Sequence, residues 1–342
     1  MSRDGVLRQV ALGAVAFVAT FVVLAGLRGL FARTSGEPGR TPVPGASASA
    51  SASGIAIGSA TPGPTLPPAV GPNASNAPTV TLIGAGDIAD CTLDGAERTA
   101  DLLATNDGWI FTAGDNAYED GSPADYTACY GPTWGRFLDR TILPAAGNHD
   151  WQTKGAAGYL GYFGERAAPN GTTWYSRDLG TWHVVVLDSD CDEVGGCDRD
   201  SPQGRWLATD LRNSPARCTL AIWHHPRWTS GEHGDDAEVG PFWELLHEDG
   251  AELVINGHDH DYERFAPMDP AGAVERPGGI REIVVGTGGA ALRGFTHQAR
   301  NTEFRQAGTW GILRLELHPF NYEWEFVPAT GSVVDSGSTP CH

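Results

Sequence analysis

From residue 79 to the end of the chain, short apolar runs of strand length alternate with amphipathic stretches of helical length. The predicted strands are residues 79–85, 109–113, 142–146, 183–187, 219–223, 253–255 and 283–285. The predicted helices are residues 95–104, 202–211 and 241–248, and the last two begin with proline, which is favoured at the first helical position. Residues 312–327 alternate around a turn near 318–321, which predicts a closing hairpin. This order predicts an α/β sandwich.

The N-terminal segment contains an uncharged run at residues 10–27, bounded by Arg8 and Arg28. Its length is close to the roughly 20 residues that a helix needs to cross a bilayer. We therefore interpret residues 1–33 as a signal anchor with a single transmembrane helix, while a cleaved signal peptide stays open as the alternative. Because arginines lie on both sides of the run, its orientation is undecided.

Residues 34–78 consist mainly of Ser, Ala, Pro, Gly and Thr, with few large apolar side chains. Such a segment buries too little surface to offset the entropy of ordering, so we predict a disordered linker. The expected organisation is therefore an anchor at 1–33, a linker at 34–78 and a folded domain at 79–342.

All six cysteines lie within the folded domain. An even number of cysteines in an exported chain suggests disulfides, and Cys191 and Cys197, which bracket a short glycine-containing loop, are the predicted pair. The pairing of the other four cysteines stays open, and the absence of CxxC spacing argues against a zinc ribbon. The linker and the cysteines together favour a membrane-anchored protein whose folded domain is extracytoplasmic.

The folded domain is strongly acidic. The whole chain has 23 basic and 42 acidic residues, and five of the basic and two of the acidic residues lie before residue 79. The folded domain therefore has 18 basic and 40 acidic residues and a formal charge of −22. A domain with this charge repels polyanions, so we expect no nucleic-acid partner. Small phosphorylated substrates remain compatible with it, and no protein partner can be inferred.

Several predicted strands end in glycine and then a side chain that can bind a metal. These segments are Gly86-Asp87, Gly114-Asp115, Gly147-Asn148-His149 and Gly257-His258-Asp259-His260, and His224-His225-Pro226 follows another strand. In open α/β sheets ligands bind beyond the carboxyl ends of strands, so we expect these loops to converge. Glycine allows the sharp turns that bring short side chains together.

The glycine-rich run 286–289 lacks the Gly-Lys-Ser/Thr of a P-loop and is interpreted as a turn near the site.

Taken in order, these segments resemble the signature of the purple acid phosphatases, a branch of the calcineurin-like metallophosphoesterase superfamily. The block 257–264 is especially similar to the last motif of that branch. The resemblance implies a four-layer α/β/β/α sandwich and a phosphoric ester hydrolase with two metal ions. The implied ligands are Asp115, bridging both ions; Asp87, Tyr118 and His260 at the first; and Asn148, His224 and His258 at the second. The implied reaction is hydrolysis of a phosphate monoester by a metal-bound hydroxide.

Two positions indicate which metals to expect. Relatives that use two divalent ions place histidine two residues after the first aspartate, where this chain has Ala89, whereas Tyr118 supplies a phenolate. The extra negative charge favours a trivalent ion beside a divalent one. We therefore expect Fe(III) at the Tyr118 site with Zn(II), Mn(II) or Fe(II) at the second.

The same resemblance suggests catalytic roles for His149 and His233, which would contact the phosphate and assist the leaving group. We expect Asp150 to orient His149, with a role as a turn residue as the alternative, and we expect Glu263 to pair with Arg264 in a structural role. A phosphodiesterase or nucleotide hydrolase on the same metals is the alternative function. A non-catalytic surface binding module is a third, and the complete ligand set argues against it.

Overall fold

The computed structural model describes residues 66, 68–69, 71, 75–332 and 335–342. The predicted anchor and nearly all of the predicted linker lie outside these residues, so both stay predictions. Within the described part, no helix has the length and apolar character needed to span a bilayer.

The described residues form α-helices and β-strands in alternation. The strands are β1 (Val80–Ala85), β2 (Trp109–Ala113), β3 (Thr141–Ala145), β4 (Tyr175–Leu179), β5 (Trp182–Val186), β6 (Cys218–Ile222), β7 (Leu253–Asn256), β8 (Tyr262–Phe265), β9 (Arg281–Val285), β10 (Thr302–Gln306), β11 (Gly311–Leu317), β12 (Asn321–Pro328) and β13 (Asp335–Pro340). The helices are α1 (Gly95–Thr105), α2 (Pro123–Asp125), α3 (Asn148–Gln152), α4 (Ala157–Phe163), α5 (Cys191–Val194), α6 (Pro202–Asn213) and α7 (Gly240–Asp249). Shorter helical turns cover Tyr126–Tyr130, Trp134–Arg140, Lys154–Ala156 and Gly164–Arg166.

The strands form two mixed sheets. One has the order β13-β12-β11-β1-β2-β3, and the other has the order β10-β8-β9-β7-β6-β5-β4. Strands β1, β2 and β3 are parallel in the first sheet, and β5, β6, β7 and β9 are parallel in the second. The predicted C-terminal hairpin is confirmed as β11 and β12.

The two faces of the seven-stranded sheet pack against different partners. Leu220 and Ile222 of β6 belong to the core that the two sheets share. Ala221, which points the opposite way, packs in a second core with Leu207 of α6 and Trp243 of α7. Because both faces of these parallel strands are covered, they appear in the sequence as continuous apolar runs. On the six-stranded sheet, α1 contacts β11. The mixed α/β fold is therefore confirmed.

Three disulfides connect the six cysteines. The predicted Cys191–Cys197 bridge is confirmed, and the pairs that the sequence left open are Cys91–Cys129 and Cys218–Cys341. The last bridge joins the first residue of β6 to the residue after β13 and so links the two sheets.

Candidate metal centre

The strand-end loops of the two sheets meet at one place. The Gly86 N–H, after β1, donates a hydrogen bond of 3.0 Å to the carbonyl of Val285 at the end of β9. His224, after β6, places Nδ1 2.8 Å from the carbonyl of Ala113 at the end of β2. The expected convergence of the loops is thus observed.

Glycines make this close approach possible. A Cβ on Gly257 would lie 2.6 Å from both the Ala113 carbonyl oxygen and Asp87 Oδ2. A Cβ on Gly147 would overlap the Asp115 carboxylate and lie 2.5 Å from its backbone nitrogen. At these positions glycine is needed for space.

Three of the predicted ligands have backbone conformations that non-glycine residues rarely adopt. The φ angles are 59° at Asp87, 49° at Asp115 and 72° at His258. Left-handed conformations at such residues cost free energy and cluster at functional sites. The surrounding hydrogen bonds hold them, including the one of 2.8 Å from the His258 N–H to Asp87 Oδ2.

The first group of predicted ligands surrounds the Tyr118 hydroxyl. This oxygen lies 3.0 Å from Asp87 Oδ1, 3.2 Å from Asp115 Oδ2 and 3.3 Å from His260 Nε2. His260 Nε2 is also 3.3 Å from Asp87 Oδ1. Asp87, Asp115, Tyr118 and His260 therefore direct their donor atoms at a common point.

The second group surrounds Nε2 of His224. This nitrogen lies 3.1 Å from Asn148 Oδ1, 3.2 Å from His258 Nδ1 and 3.2 Å from Asp115 Oδ2. The same oxygen of Asp115 thus faces both groups, while Oδ1 accepts a hydrogen bond of 2.8 Å from the His149 N–H. This is the position that a bridging carboxylate requires.

The charges of the site fit a cation. Asp87 and Asp115 are buried, and neither pairs with Arg or Lys among the residues described. Burial disfavours an imidazolium, yet the Asp115 carboxylate outweighs burial and raises the pKa of His224 to about 10. Burial and the Asp115 and Asp87 carboxylates raise the pKa of Tyr118 well above its usual value. These donors require positive charge, and their oxygen and imidazole atoms suit iron, zinc or manganese.

Backbone carbonyls orient two of the imidazoles. Nδ1 of His224 faces the Ala113 carbonyl, and Nδ1 of His260 lies 2.7 Å from the carbonyl of Ala291. A hydrogen bond at one ring nitrogen fixes the tautomer and directs the other nitrogen toward a metal.

The two predicted catalytic histidines lie beside different ligands. The His149 ring centroid is 4.4 Å from that of Tyr118, and its Nε2 is 3.9 Å from Asp115 Oδ2. The His233 ring centroid is 4.2 Å from that of His258, and its side chain is 31% exposed. Both imidazoles therefore lie at the rim of the candidate centre.

Asp150 does not orient His149, contrary to expectation. It is fully buried and accepts hydrogen bonds from Tyr126 Oη at 2.6 Å, Asn116 Nδ2 at 2.9 Å and the Gly147 N–H at 3.0 Å. Burial, aided by the Asp115 charge, raises the pKa of Asp150 to about 6. His149 Nδ1 instead faces the Glu119 carbonyl at 2.5 Å. Asp150 therefore holds the strand-end loops together.

The expected pair of Glu263 and Arg264 is also not formed. Arg264 Nε donates to Asp335 Oδ2 at 2.8 Å, and the guanidinium also pairs with Glu303. Glu263 accepts a hydrogen bond of 2.6 Å from the Ser230 N–H. Because adjacent residues of β8 point to opposite faces, their side chains meet different partners.

Two contacts near the site were not predicted from the sequence, one made by Asp259 and one made by His225. Asp259 Oδ1 lies 3.0 Å from Nδ1 of His233, and His225 places Nδ1 2.8 Å from Ser189 Oγ. These partners are 26 and 36 residues apart along the chain, so no local pattern indicates them. The run 286–289 is near the site as expected, since a Cβ on Gly286 would lie 2.7 Å from Asp87 Oδ2.

Comparison with known proteins agrees with this geometry. The sequence model described as calcineurin-like phosphoesterase matches residues 80–262. Purple acid phosphatase 21 of Arabidopsis thaliana is 28% identical over 261 residues, covering 68% of this chain and 56% of that protein. Purple acid phosphatase 15 of the same plant is 29% identical over 179 residues, covering 46% of this chain and 32% of that protein.

A purple acid phosphatase structure from yellow lupin (Lupinus luteus) seeds shares the fold. Its TM-score is 0.60 at 19% identity, over 77% of this chain and 54% of the lupin chain. The matches thus span about a third to just over half of the relatives' own lengths. Since the family match covers residues 80–262, the chain belongs to the calcineurin-like phosphoesterase family, in its purple acid phosphatase-like branch.

Proposed function

We propose that this chain is an exported, metal-dependent phosphatase that hydrolyses phosphate monoesters at a dinuclear centre. The observation that carries the proposal is the convergence of seven side chains, from strand ends of both sheets, into two groups that share one oxygen, since Asp115 Oδ2 lies 3.2 Å from both Tyr118 Oη and His224 Nε2. The names of the relatives, purple acid phosphatases, support the same reaction. The proposed ligands are Asp87, Asp115, Tyr118, Asn148, His224, His258 and His260.

When bound, a pair of cations lowers the pKa of coordinated water and offsets the charge of phosphate oxygens. The protein's own contribution is to fix the donors and to supply two imidazoles at the rim. We propose that His149 hydrogen-bonds a phosphate oxygen, which is supported by its position against Tyr118 and Asp115. We propose that His233 gives a proton to the departing alcohol, which is supported by its position beside His258.

The metal assignment can be tested through Tyr118. We propose Fe(III) beside Tyr118 and Zn(II), Mn(II) or Fe(II) at the second position, because a phenol with a raised pKa ionises only next to high positive charge. The purified protein is expected to absorb visible light through a tyrosinate-iron transition. Tyr118→Phe should abolish that band. An unchanged spectrum in the variant, or a colourless iron-loaded protein, would contradict the assignment.

Asp115 provides the test of the reaction. Asp115→Asn removes the bridging charge, and we expect turnover of p-nitrophenyl phosphate to fall by more than about a thousandfold, equivalent to roughly 4 kcal/mol of transition-state stabilisation. Metal content by elemental analysis should fall in parallel. Asp139→Asn is the matched control, because the Asp139 side chain is 86% exposed and its carboxylate contacts only Arg166 among its possible ion-pair partners in the described chain.

A pair of substrates separates the monoesterase from the alternative diesterase. We expect p-nitrophenyl phosphate to be hydrolysed faster than bis(p-nitrophenyl) phosphate. The reverse preference would replace the monoesterase proposal with a phosphodiesterase. A chain that binds metal but hydrolyses neither ester would be a binding module.

We also propose that the folded domain is extracytoplasmic and tethered by residues 1–33. Its support is the uncharged run at 10–27 together with six cysteines in three disulfides, which persist in oxidising compartments. Membrane fractionation combined with protease accessibility of intact cells tests this placement.

A further inference from the structure

Asp259 lies between two predicted metal ligands, His258 and His260, but contacts neither imidazole through its carboxylate. It is fully buried. Its Oδ1 accepts hydrogen bonds from the His233 backbone N–H at 3.2 Å and from the ring at Nδ1 at 3.0 Å. Its Oδ2 accepts a hydrogen bond of 2.6 Å from Thr229 Oγ1. The carboxylate is thus wholly engaged by the segment 229–233.

That segment is shaped around the carboxylate. Thr229 is buried, and its hydroxyl oxygen also accepts a hydrogen bond of 2.8 Å from the Gly231 N–H. A Cβ on Gly231 would overlap the Asp259 carboxylate, so glycine is needed for the turn to close over it. The Asp259 carboxylate therefore positions both the backbone and the ring of His233.

The contact also fixes which nitrogen of His233 can react. An ionised carboxylate only accepts hydrogen bonds, so Nδ1 of His233 must carry a proton. Nε2 makes no hydrogen bond to the part of the chain that the structure describes. The ring thus presents Nε2 from a position beside His258, whose ring centroid is 4.2 Å away.

The two rim histidines differ in this respect. Nδ1 of His149 faces the neutral backbone carbonyl of Glu119, whereas Nδ1 of His233 faces a buried carboxylate. The Asp259 carboxylate accepts hydrogen bonds from both the backbone and the ring of His233, and such an ionised acceptor makes stronger hydrogen bonds than a neutral one and so holds the ring in its orientation. The contact with Asp259 thus gives His233, the proposed proton donor, a fixed orientation.

We propose that Asp259 is a positioning residue for general acid catalysis by His233, an inference that rests on the proposed phosphatase function. As the oxygen of a hydroxide ion bonds to phosphorus and the ester P–O bond breaks, the electron pair of the broken bond stays on the leaving oxygen, which takes the proton from Nε2 of His233. The imidazole becomes neutral, and Asp259 remains ionised throughout. Asp259 therefore acts through His233 without touching the substrate.

The test uses the dependence of rate on the leaving group. Asp259→Asn keeps the size of the side chain and removes its charge. We expect kcat for an alkyl phosphate such as glycerol 1-phosphate to fall about a hundredfold, since general acid help is worth 10²–10⁴. For p-nitrophenyl phosphate, whose acidic phenol departs without a proton, kcat should change far less. The ratio of the two kcat values is independent of the fraction of metal-loaded enzyme, so partial metal loss does not affect it.

Two further variants complete the experiment. His233→Ala should show the same selective loss, and Asp259→Asn should add little to it in the double variant. Asp139→Asn, which removes the charge of an exposed carboxylate that pairs only with Arg166 among the described residues, should leave the ratio unchanged. Equal losses on both esters, or independent effects in the double variant, would overturn the inference. A wild-type chain inactive toward both esters would instead overturn the proposed function, and this inference with it.

Discussion

At the scale of single residues, the site depends as much on missing side-chain atoms as on the ligands. The ligand-bearing loops of two sheets approach so closely that any Cβ at Gly147 or Gly257 would overlap a carboxylate or a carbonyl. Gly147 has a φ of −135°, which any residue can adopt, so its requirement is space alone. An alanine at position 147 would therefore be disfavoured by steric overlap and not by backbone strain.

We expect Gly147→Ala to disable the centre while leaving the fold intact. The added Cβ would displace the Asp115 carboxylate, and overpacking of this kind typically costs about 1–3 kcal/mol. Activity should fall at least about a hundredfold, because a misplacement of about 1 Å can cost that much. Gly161→Ala is the control, since its Cβ would meet no atom within 4 Å in α4. Comparable activity of the two variants would contradict the steric argument.

The ligands could be predicted from the sequence because each follows a strand that an apolar run identifies. Residue type and position relative to the strand singled out Asp87 and His224 as candidates, and the resemblance to the purple acid phosphatases assigned them as ligands. The partners of Asp150 and Asp259 could not be predicted, because their contacts join segments distant along the chain. The position of Asp150 next to His149 in the sequence therefore did not indicate which groups the Asp150 carboxylate contacts in the fold.

At the scale of elements, the strands that the sequence predicted match the observed ones to within two residues at each end. Four strands were not recognised, namely β4, β8, β10 and β13. Strand β8 carries Glu263 and Arg264, which are buried because Ser230, Thr302 and Asp335 satisfy them. Charged residues are usually exposed unless they are paired, and the sequence does not show the pairing partners. For this reason strand β8 was not predicted.

A buried histidine connects three elements away from the centre. His183 on β5 places Nδ1 2.7 Å from Asp178 of β4 and Nε2 2.9 Å from Asp210 of α6. Burial disfavours the imidazolium, but the hydrogen bonds to Asp210 and Asp178 outweigh burial and raise the pKa of His183. Asp249, at the end of α7, adds a further negative charge nearby.

The raised pKa predicts that this contact stabilises the fold most at acidic pH. Its contribution is fully present below the unfolded pKa of about 6.5 and is lost as the pH rises through the higher folded pKa. His183→Gln should lower the free energy of unfolding by roughly 2 kcal/mol in acid, and by less in alkali. Urea unfolding of the metal-saturated proteins across pH measures this. The exposed His297, changed to Gln, should show no such trend, and a pH-independent loss in His183→Gln would refute it.

At the scale of the whole molecule, the acidic domain surrounds a centre that must attract anions. A groove of about 410 Å³ opens beside Asn148. Its exposed or half-exposed carboxylates are Asp192, Glu193, Asp236 and Glu238, and no Lys or Arg lines it among the residues that the structure describes. Burial and the Asp188 charge raise the pKa of Asp190, which also lines the groove, to about 8, so that Asp190 adds little charge at neutral pH. Negative walls lower the local concentration of anionic substrates, and the effect grows with substrate charge.

The activity toward highly charged esters should therefore depend on salt. Raising ionic strength from about 0.01 M to about 0.15 M shortens the screening length from about 30 Å to about 8 Å. We expect kcat/KM for fructose 1,6-bisphosphate to rise by a few-fold relative to that for p-nitrophenyl phosphate, because the bisphosphate is repelled more strongly. Neutralising exposed groove residues, as Asp192→Asn with Glu193→Gln, should weaken this salt dependence by raising the low-salt rate. If both esters respond equally to salt in the wild type, the acidic surface has no part in substrate choice, and discrimination must come from contacts at the centre.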